Sequence, residues 1–307
     1  MMDGPVGNTP AVNAMTVDVE DYFQVQAFAH CIPRDNWDGI ARRVEANVDR
    51  ILSQFDDAGV RATFFTLGWI AERHPAMIRR IVAGGHELAS HGWDHTRADS
   101  QDPAAFRADV GRTRRVLQDI GGVEVVGYRA ATFSIGARNL WAFPVLEGEG
   151  YRYSSSINPV RHDLYGQMRD APRTPFRPDG GGLWEIPMTT VRAGRRNLPC
   201  SGGGYFRLLP YPVFRYGLRH VNRTENRPAV FYFHPWEIDP GQPRVPHCGW
   251  RSRLRHYVNL HRMAGRLDCL LRDFDWDRMD KAFASLLDAP ALSPGAAAHH
   301  QHDAMPA

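Results

Sequence analysis

Met15-Thr-Val-Asp-Val19, running on into Glu20-Asp21, is the stretch that decides the fold. Its first five residues read as a short buried strand, and that strand ends in acids. Asp18, Glu20 and Asp21 crowd three carboxylates into four positions, where like charges repel unless a cation sits among them. Further along, Ser90-His-Gly-Trp-Asp-His95 supplies two imidazoles four residues apart, the spacing of one face of a helical turn. Imidazole suits zinc and other late divalent metals, and a carboxylate is the usual third ligand that leaves a position open for water. Together the two segments point to a metal-dependent hydrolase.

Working outward from the first strand, the chain alternates. Val44, Val48, Ile51, Leu52 and Phe55 recur at helical spacing between Arg42 and Ala58, and Gly59 stands where that helix would stop. Ala62–Leu67 reads as a strand, Pro75 opens a helix to about Ala83, and His86–Ser90 follows as an apolar-flanked strand. Asp102 is a good N-cap before Pro103, and Phe106, Val110, Leu117 and Ile120 give the next helix an inner face. Then come a strand at Val125–Arg129, a helix near Leu140–Glu147, strands near Tyr151–Ser155 and Trp184–Thr189, a helix after Pro210 and the apolar strand Ala229–Phe233. Leu254–Phe274 reads as one long helix. Such alternation predicts an α/β fold, a parallel sheet wrapped by helices as either a barrel or an open sheet.

The chain has 307 residues and is 43% hydrophobic, enough to bury one large core. We expect a flexible lead over 1–14, a single catalytic domain over 15–288 whose part from about 250 to 288 is helical, and a disordered Ala/Pro/His-rich tail over 289–307. The formal charge of +3 and the lack of any Lys/Arg block imply no nucleic-acid partner. Cys31, Cys200, Cys248 and Cys269 are scattered and form no CxxC pair, which predicts neither a structural zinc site nor a disulfide framework and fits a reducing compartment. No signal-peptide pattern and no transmembrane-length apolar run is seen, so the expected location is the cytoplasm. The oligomeric state is left open.

Two further polar residues end apolar strands. Arg129 closes the strand leading into Tyr128-Arg-Ala-Ala-Thr-Phe-Ser134, and His234 closes Tyr232-Phe-His-Pro-Trp-Glu237. Alone, each would be an ordinary salt-bridge or structural residue. With the acids and the histidine pair, they are better explained by one site at the carboxyl ends of the strands.

Five motifs in order now stand out: Thr16-Val-Asp-Val-Glu-Asp-Tyr-Phe23, Gly84-Gly-His-Glu-Leu-Ala-Ser-His-Gly-Trp-Asp-His95, Tyr128–Ser134, Trp184-Glu-Ile-Pro187 and Tyr232–Glu237. Over roughly Val12 to Phe274 the chain resembles the polysaccharide deacetylases of carbohydrate esterase family four, and more closely the branch associated with exopolysaccharide loci in bacteria with exosortase sorting systems. The resemblance implies a distorted (β/α) barrel with fewer than eight strands. It implies N-deacetylation of an N-acetylated oligo- or polysaccharide, with a divalent metal ion, zinc first, as cofactor. Asp18 becomes the general base, Arg129 its orienting partner and His234 the general acid; His91 and His95 hold the metal with Glu20 or Asp21. Residue spacing favours Glu20 for that ligand and residue type favours Asp21. The aspartate that often tunes the acid histidine has no match in Tyr153-Ser-Ser-Ser156, and Asp163 is a substitute candidate. Two other readings are carried forward: hydrolysis of a small amide or ureide on the same fold, and a catalytically inactive carbohydrate-binding relative.

Overall fold

The computed structural model describes residues 11–162 and 168–289; Asp163 and the 290–307 stretch lie outside the described residues. Strands β1 (Asn13–Val19), β2 (Thr63–Thr66), β3 (Glu87–Ser90), β4 (Gly127–Tyr128), β5 (Tyr153–Ser154) and β6 (Trp184–Glu185) lie side by side in chain order, all parallel. A hairpin of β7 (Thr190–Ala193) and β8 (Arg196–Pro199) stands apart. β9 (Val230–Phe233) returns to pair with β1, giving the order β9-β1-β2-β3-β4-β5-β6. These seven strands form the curled barrel, as the resemblance implies; β10 (Trp276–Asp277) is a two-residue addition against Asn13 and Ala14. Between β6 and β9 the gap is stitched by the intervening chain: Val230 N donates to Thr189 Oγ1 and Tyr232 N to Ser201 O.

Helices α1 (Val44–Asp57), α2 (Gly68–Arg73), α3 (Pro75–Ala83), α4 (Pro103–Gly121) and α5 (Ala142–Gly148) cover the outside of the first strands. Then follow α6 (Gly203–Leu208), α7 (Tyr211–Arg223), α8 (Trp250–Tyr257), α9 (Leu260–Asp273), α10 (Met279–Ala282) and α11 (Ala284–Leu287). Asp102 caps α4 as expected, its carboxylate accepting from Ala105 N at 2.8 Å.

The twofold period of a strand sorts side chains to the two faces of the barrel wall. Met15, Val17 and Val19 of β1, Phe64 of β2 and Phe231 and Phe233 of β9 belong to the core under the helices. Their neighbours Ala14, Phe65, Val230 and Tyr232 point the other way, into a second core with Tyr153, Met188, Met279 and Phe283. That second core fills the lumen, and α10 and α11 contribute to it. Since Ala14 faces inward, so do Thr16 and Asp18, and the same alternation carries Glu20 to the lumen side just beyond the strand. Gly127 in β4 is required there because a Cβ would collide with the Tyr153 ring.

Three expectations are corrected. Ladder pairing in the Val125–Arg129 strand is confined to Gly127 and Tyr128. The expected Leu254–Phe274 helix is two helices, broken at Asn259, whose backbone is left-handed at φ 53° and whose Nδ2 donates to Arg207 O. Cys31 and Cys248, with no expected partners, are joined as a disulfide, while Cys200 and Cys269 are free. No helix among the described residues is long and apolar enough to cross a membrane.

Glu185, at the end of β6, is fully buried; one oxygen accepts from Ser156 N and Ile157 N, and the other has no partner among the described residues. Burial pushes its carboxyl from 4.5 up to about 7. The folded chain therefore holds a proton that the unfolded chain has released, so this group's stabilisation is full below pH 4.5 and is lost as pH rises to about 7. Glu185→Gln keeps the accepting oxygen and cannot ionise. Relative to wild type it should gain stability at pH 8 and not at pH 4.5, by ~1–3 kcal/mol. Denaturant unfolding at the two pH values checks this, and an equal shift at both would reject it.

Candidate active site

Asp18 leaves the end of β1 with its Oδ1 accepting from Arg129 Nη1 at 2.6 Å, and the same nitrogen lies 2.8 Å from Thr16 Oγ1. Arg129 follows β4 directly and is fully buried. Its remaining donors reach Ser155 O and Ser155 Oγ, both at 3.2 Å, and its guanidinium lies 4.0 Å over the Phe65 ring. The base candidate is thus locked by strands β1 and β4 together with the residue after β5.

Glu20, two residues further, meets two histidines. Its Oε2 is 3.2 Å from His95 Nε2 and its Oε1 is 3.2 Å from His234 Nε2. His91 Nδ1 lies 2.8 Å from Arg129 O; a carbonyl only accepts, so this nitrogen carries the proton and Nε2 keeps its lone pair. The His91 and His95 rings stand 5.3 Å apart. They do not converge through a helical turn, contrary to the sequence reading: Gly92 and His95 have φ of 78° and 60°. Gly92 O and Trp93 O accept from the start of α2, and Trp93 N donates to Asp109, so this backbone is spent on loop contacts.

Asp21 is not brought to this group. Its Oδ1 accepts from Tyr22 N and its Oδ2 from Arg43 N at 2.7 Å and Val44 N at 3.0 Å, which ties it to the first residues of α1. A carboxylate at a helix N-terminus satisfies orphan donors and complements the dipole.

His234 is held from its other side. Its Nδ1 lies 3.0 Å from Glu237 Oε2, which also accepts from His234 N at 2.9 Å, and its ring stacks on Trp236 at 5.2 Å. Glu237 Oε1 in turn accepts from Arg207 Nε at 2.8 Å, with both groups 1% exposed. Burial alone would lower the His234 pKa, but the Glu20 carboxylate and the bond to Glu237 outweigh it and raise it to about 9. For Glu237 burial works upward, yet Arg207 and His234 bring it down to about 2.

Sequence reasoning missed this pair. Glu237 was in the quoted Tyr232–Glu237 motif, three residues from the histidine, but Asp163 was considered in its place. A second signal is the Gly202-Gly-Gly204 run: a Cβ on Gly203 would collide with the Glu237 carboxylate. His86, by contrast, is structural, accepting from Ala62 N through Nδ1.

Asp18, Glu20, His91, His95 and His234 line one cavity of about 150 Å³ with Val25, Gln26, Ala130, Phe133, Tyr232 and Trp236. Its floor includes Thr132 and Phe133, consecutive non-glycine residues at φ 55° and 48°, a strained backbone of the kind that collects at functional sites. The donor set suits a divalent cation. Glu20 Oε2 is buried and, although close to His95, has no partner in hydrogen-bond geometry. Burial drives His91 down to about 4 and His95 well below its usual value, so both imidazoles are neutral and able to ligate. The same burial lifts Glu20 to about 7, a cost that a cation beside it would reverse.

Residues 35–144 match the family model described as polysaccharide deacetylase, and residues 155–284 match a domain of unknown function (DUF3473). Residues 35–144 thus carry a polysaccharide deacetylase domain, in keeping with the family that the motifs resemble. It is 29% identical over 145 residues to a chitooligosaccharide deacetylase of Sinorhizobium fredii, covering 47% of this chain and 60% of that protein. It is 30% identical over 73 residues to a peptidoglycan-N-acetylglucosamine deacetylase of Bacillus cereus, covering 24% of this chain and 26% of that one. The chain thus spans less than two thirds of either relative. In fold it is similar to a Mycobacterium smegmatis structure provisionally assigned as a polysaccharide deacetylase, with a TM-score of 0.53 and 22% identity over 88% of this chain and 93% of that one.

If Glu237 sets the charge of His234, folded Glu237→Gln protein should show the imidazole pKa lowered by about one unit or more in the metal-free state. A ¹⁵N NMR titration of His234 reads this directly; an unmoved midpoint would remove Glu237 from that role.

Proposed function

We propose that this protein hydrolyses the acetamide of an N-acetylhexosamine polymer or its precursor, with a divalent cation held by Glu20, His91 and His95. The observation that carries the reading is the convergence, in one cavity, of a carboxylate braced by a buried arginine and an imidazole braced by a buried carboxylate, with Glu20 between them. Zinc fits two nitrogens and one oxygen. When bound, such an ion supplies Lewis acidity toward a carbonyl oxygen and lowers the pKa of water.

The chain's own groups do the proton work. Asp18, fixed by Arg129, takes a proton from the attacking water. His234, protonated at both ring nitrogens, gives one to the amine, which leaves poorly without it. Glu237 fixes the ring and favours its charged form. Ala130 N is committed to Ser156 Oγ at 2.9 Å, and the N–H of the next residue, Ala131, is the backbone donor we assign to the charge developing on the carbonyl oxygen. Products are acetate and a free amino sugar. Resemblance of the motifs to the branch associated with exopolysaccharide loci supports exopolysaccharide synthesis as the setting of this reaction.

A small amide or ureide is the second reading, favoured by the volume of the catalytic cavity taken alone. Acetate release from N-acetylated oligosaccharides, compared with small amides, separates the two.

Metal content checks the ligand assignment. Purified wild type should carry close to one divalent ion per chain; His91→Ala, His95→Ala and Glu20→Gln should lose it, and Asp21→Asn should keep it. Loss in Asp21→Asn with retention in Glu20→Gln would move the ligand role. Asp18→Asn and His234→Ala should both keep the metal and lose turnover by ~10²–10⁴-fold. Unchanged turnover in His234→Ala would end the acid assignment, and metal-loaded wild type that releases no acetate from any substrate would leave the inactive carbohydrate-binding relative.

A further inference from the structure

Helix α8 (Trp250–Tyr257) is turned inside out. A surface helix normally sends its apolar side chains inward and its polar ones to water. In α8 the one buried residue is His256, whereas Trp250 is 70% exposed and Leu254 57% exposed. At roughly 100° per residue these two side chains stand about 40° apart at the centre of the outward face. Arg251 flanks them on one side and Arg253 on the other, both exposed.

A frayed end does not account for this. The Cys31–Cys248 disulfide fixes the chain two residues before the helix, and at its close Arg207 donates to the carbonyls of Arg255, His256 and Val258. From the inner side, His256 stacks on Trp236 at 4.0 Å. Held in this way, α8 presents Trp250 and Leu254 to solvent as a fixed feature.

Charge selects what covers them. From Arg244 to Arg266 the sequence has six arginines and no carboxylate. Over 191–267 fourteen arginines stand against three acids, in a chain whose formal charge is +3 as a whole. Of those acids Glu237 and Asp239 are buried, and Glu225 is paired with Arg173 and Arg227. Arg244, Arg251, Arg253 and Arg262 are exposed and within ion-pair distance of no carboxylate among the described residues; the first two rest instead on the rings of Tyr257 and Trp250. A second copy of this chain would set arginine against arginine, and two apolar side chains fall far short of the roughly 800 Å² per partner that a stable interface buries. Nucleic acid would answer the arginines and leave Leu254 with nothing to bury it. An anionic bilayer answers both, since its headgroups attract guanidinium while indole and leucine side chains enter the boundary between headgroup and acyl chain.

We propose that α8 docks this protein on the surface of an anionic phospholipid bilayer, with Trp250 and Leu254 inserted and Arg251 and Arg253 on the headgroups. The helix lies along the surface and does not cross it. Because its inner side holds Arg207 and Trp236, the docked face backs onto the support of His234. The inference concerns binding alone and stands apart from the deacetylase reading.

Co-sedimentation with phosphatidylcholine vesicles, with and without phosphatidylglycerol, tests it. Wild type should bind the mixed vesicles and should bind pure phosphatidylcholine at least about tenfold more weakly. Trp250→Ala and Leu254→Ala should each weaken binding to mixed vesicles about tenfold, the loss expected when a large apolar side chain is withdrawn from the interface. Arg251→Gln combined with Arg253→Gln should weaken it about tenfold or more and flatten its salt dependence. Thermal melting confirms that the variants are folded. Brominated lipid should quench wild-type tryptophan fluorescence, and Trp250→Phe should lose that quenching. No binding of wild type to mixed vesicles, equal binding to both vesicle types, or unchanged binding in the Trp250 and Leu254 variants overturns the proposal. Binding of duplex DNA with vesicles left unbound would assign the arginines to nucleic acid and overturn it as well.

Discussion

A guanidinium can be taken out of water only if its N–H groups meet acceptors, and among the described residues this fold fully buries two of them. Arg129 and Arg207 head the largest fully buried side chains of the described residues. Satisfying each one organises a different part of the site. Arg129 draws in Asp18 and Thr16 from β1 and Ser155 from beyond β5, which fixes three segments relative to one another and leaves Asp18 pointing up the lumen. Arg207 draws in Glu237 on one side and the carbonyls of Arg255, His256 and Val258 on the other. Breaking such a pair by removing one partner typically costs ~3–5 kcal/mol, because the other charge is left buried alone. Position and protonation of the reacting groups are therefore bound up with folding itself.

The second arginine explains a break that looked like an irregularity. Carbonyls at the end of α8 can bond Arg207 only if the helix stops there, and Asn259 in the left-handed region provides the stop while donating to Arg207 O. From that break runs a continuous path through Arg207, Glu237 and His234 to Glu20. His256, at the same helix end, stacks on Trp236 at 4.0 Å, and Trp236 stacks on His234. The part of the chain outside the polysaccharide deacetylase match thus supplies the support for the proposed acid.

Legibility in the sequence followed the range of the signal. Period-two and period-3.6 patterns are local, so α1, α3, α4 and β9 stood where the spacing put them. Strand-end polar residues were legible for the same reason: a charged group closing an apolar run is anomalous wherever it sits. Glu237 escaped because a carboxylate three residues after a histidine is common, and only the buried Arg207, thirty residues earlier in the chain, gives it meaning. The long helix was overcalled because Asn259 carries no proline or glycine warning, and its left-handed turn is dictated by Arg207. Between Glu20 and Asp21, spacing and residue type pulled in opposite directions, and what separates them is the α1 N-terminus that occupies Asp21.

The remaining discrepancy concerns cysteine. Cys31 and Cys248, 217 residues apart, were read as unrelated thiols of a reducing compartment, yet they are joined. Spacing cannot reveal a pair that only the fold brings together, and disulfides persist where the surroundings are oxidising. The pairing removes the cysteine argument for the cytoplasm. It also has a local consequence, since Cys31 sits in the same excursion that carries Gln24, Gln26 and Trp37. That excursion between β1 and α1 consists of short turns, tied down at its start by Asp21 and across the molecule by the disulfide. A segment held at both places is restrained beside the catalytic cavity, to which it contributes Val25, Gln26 and Ala27.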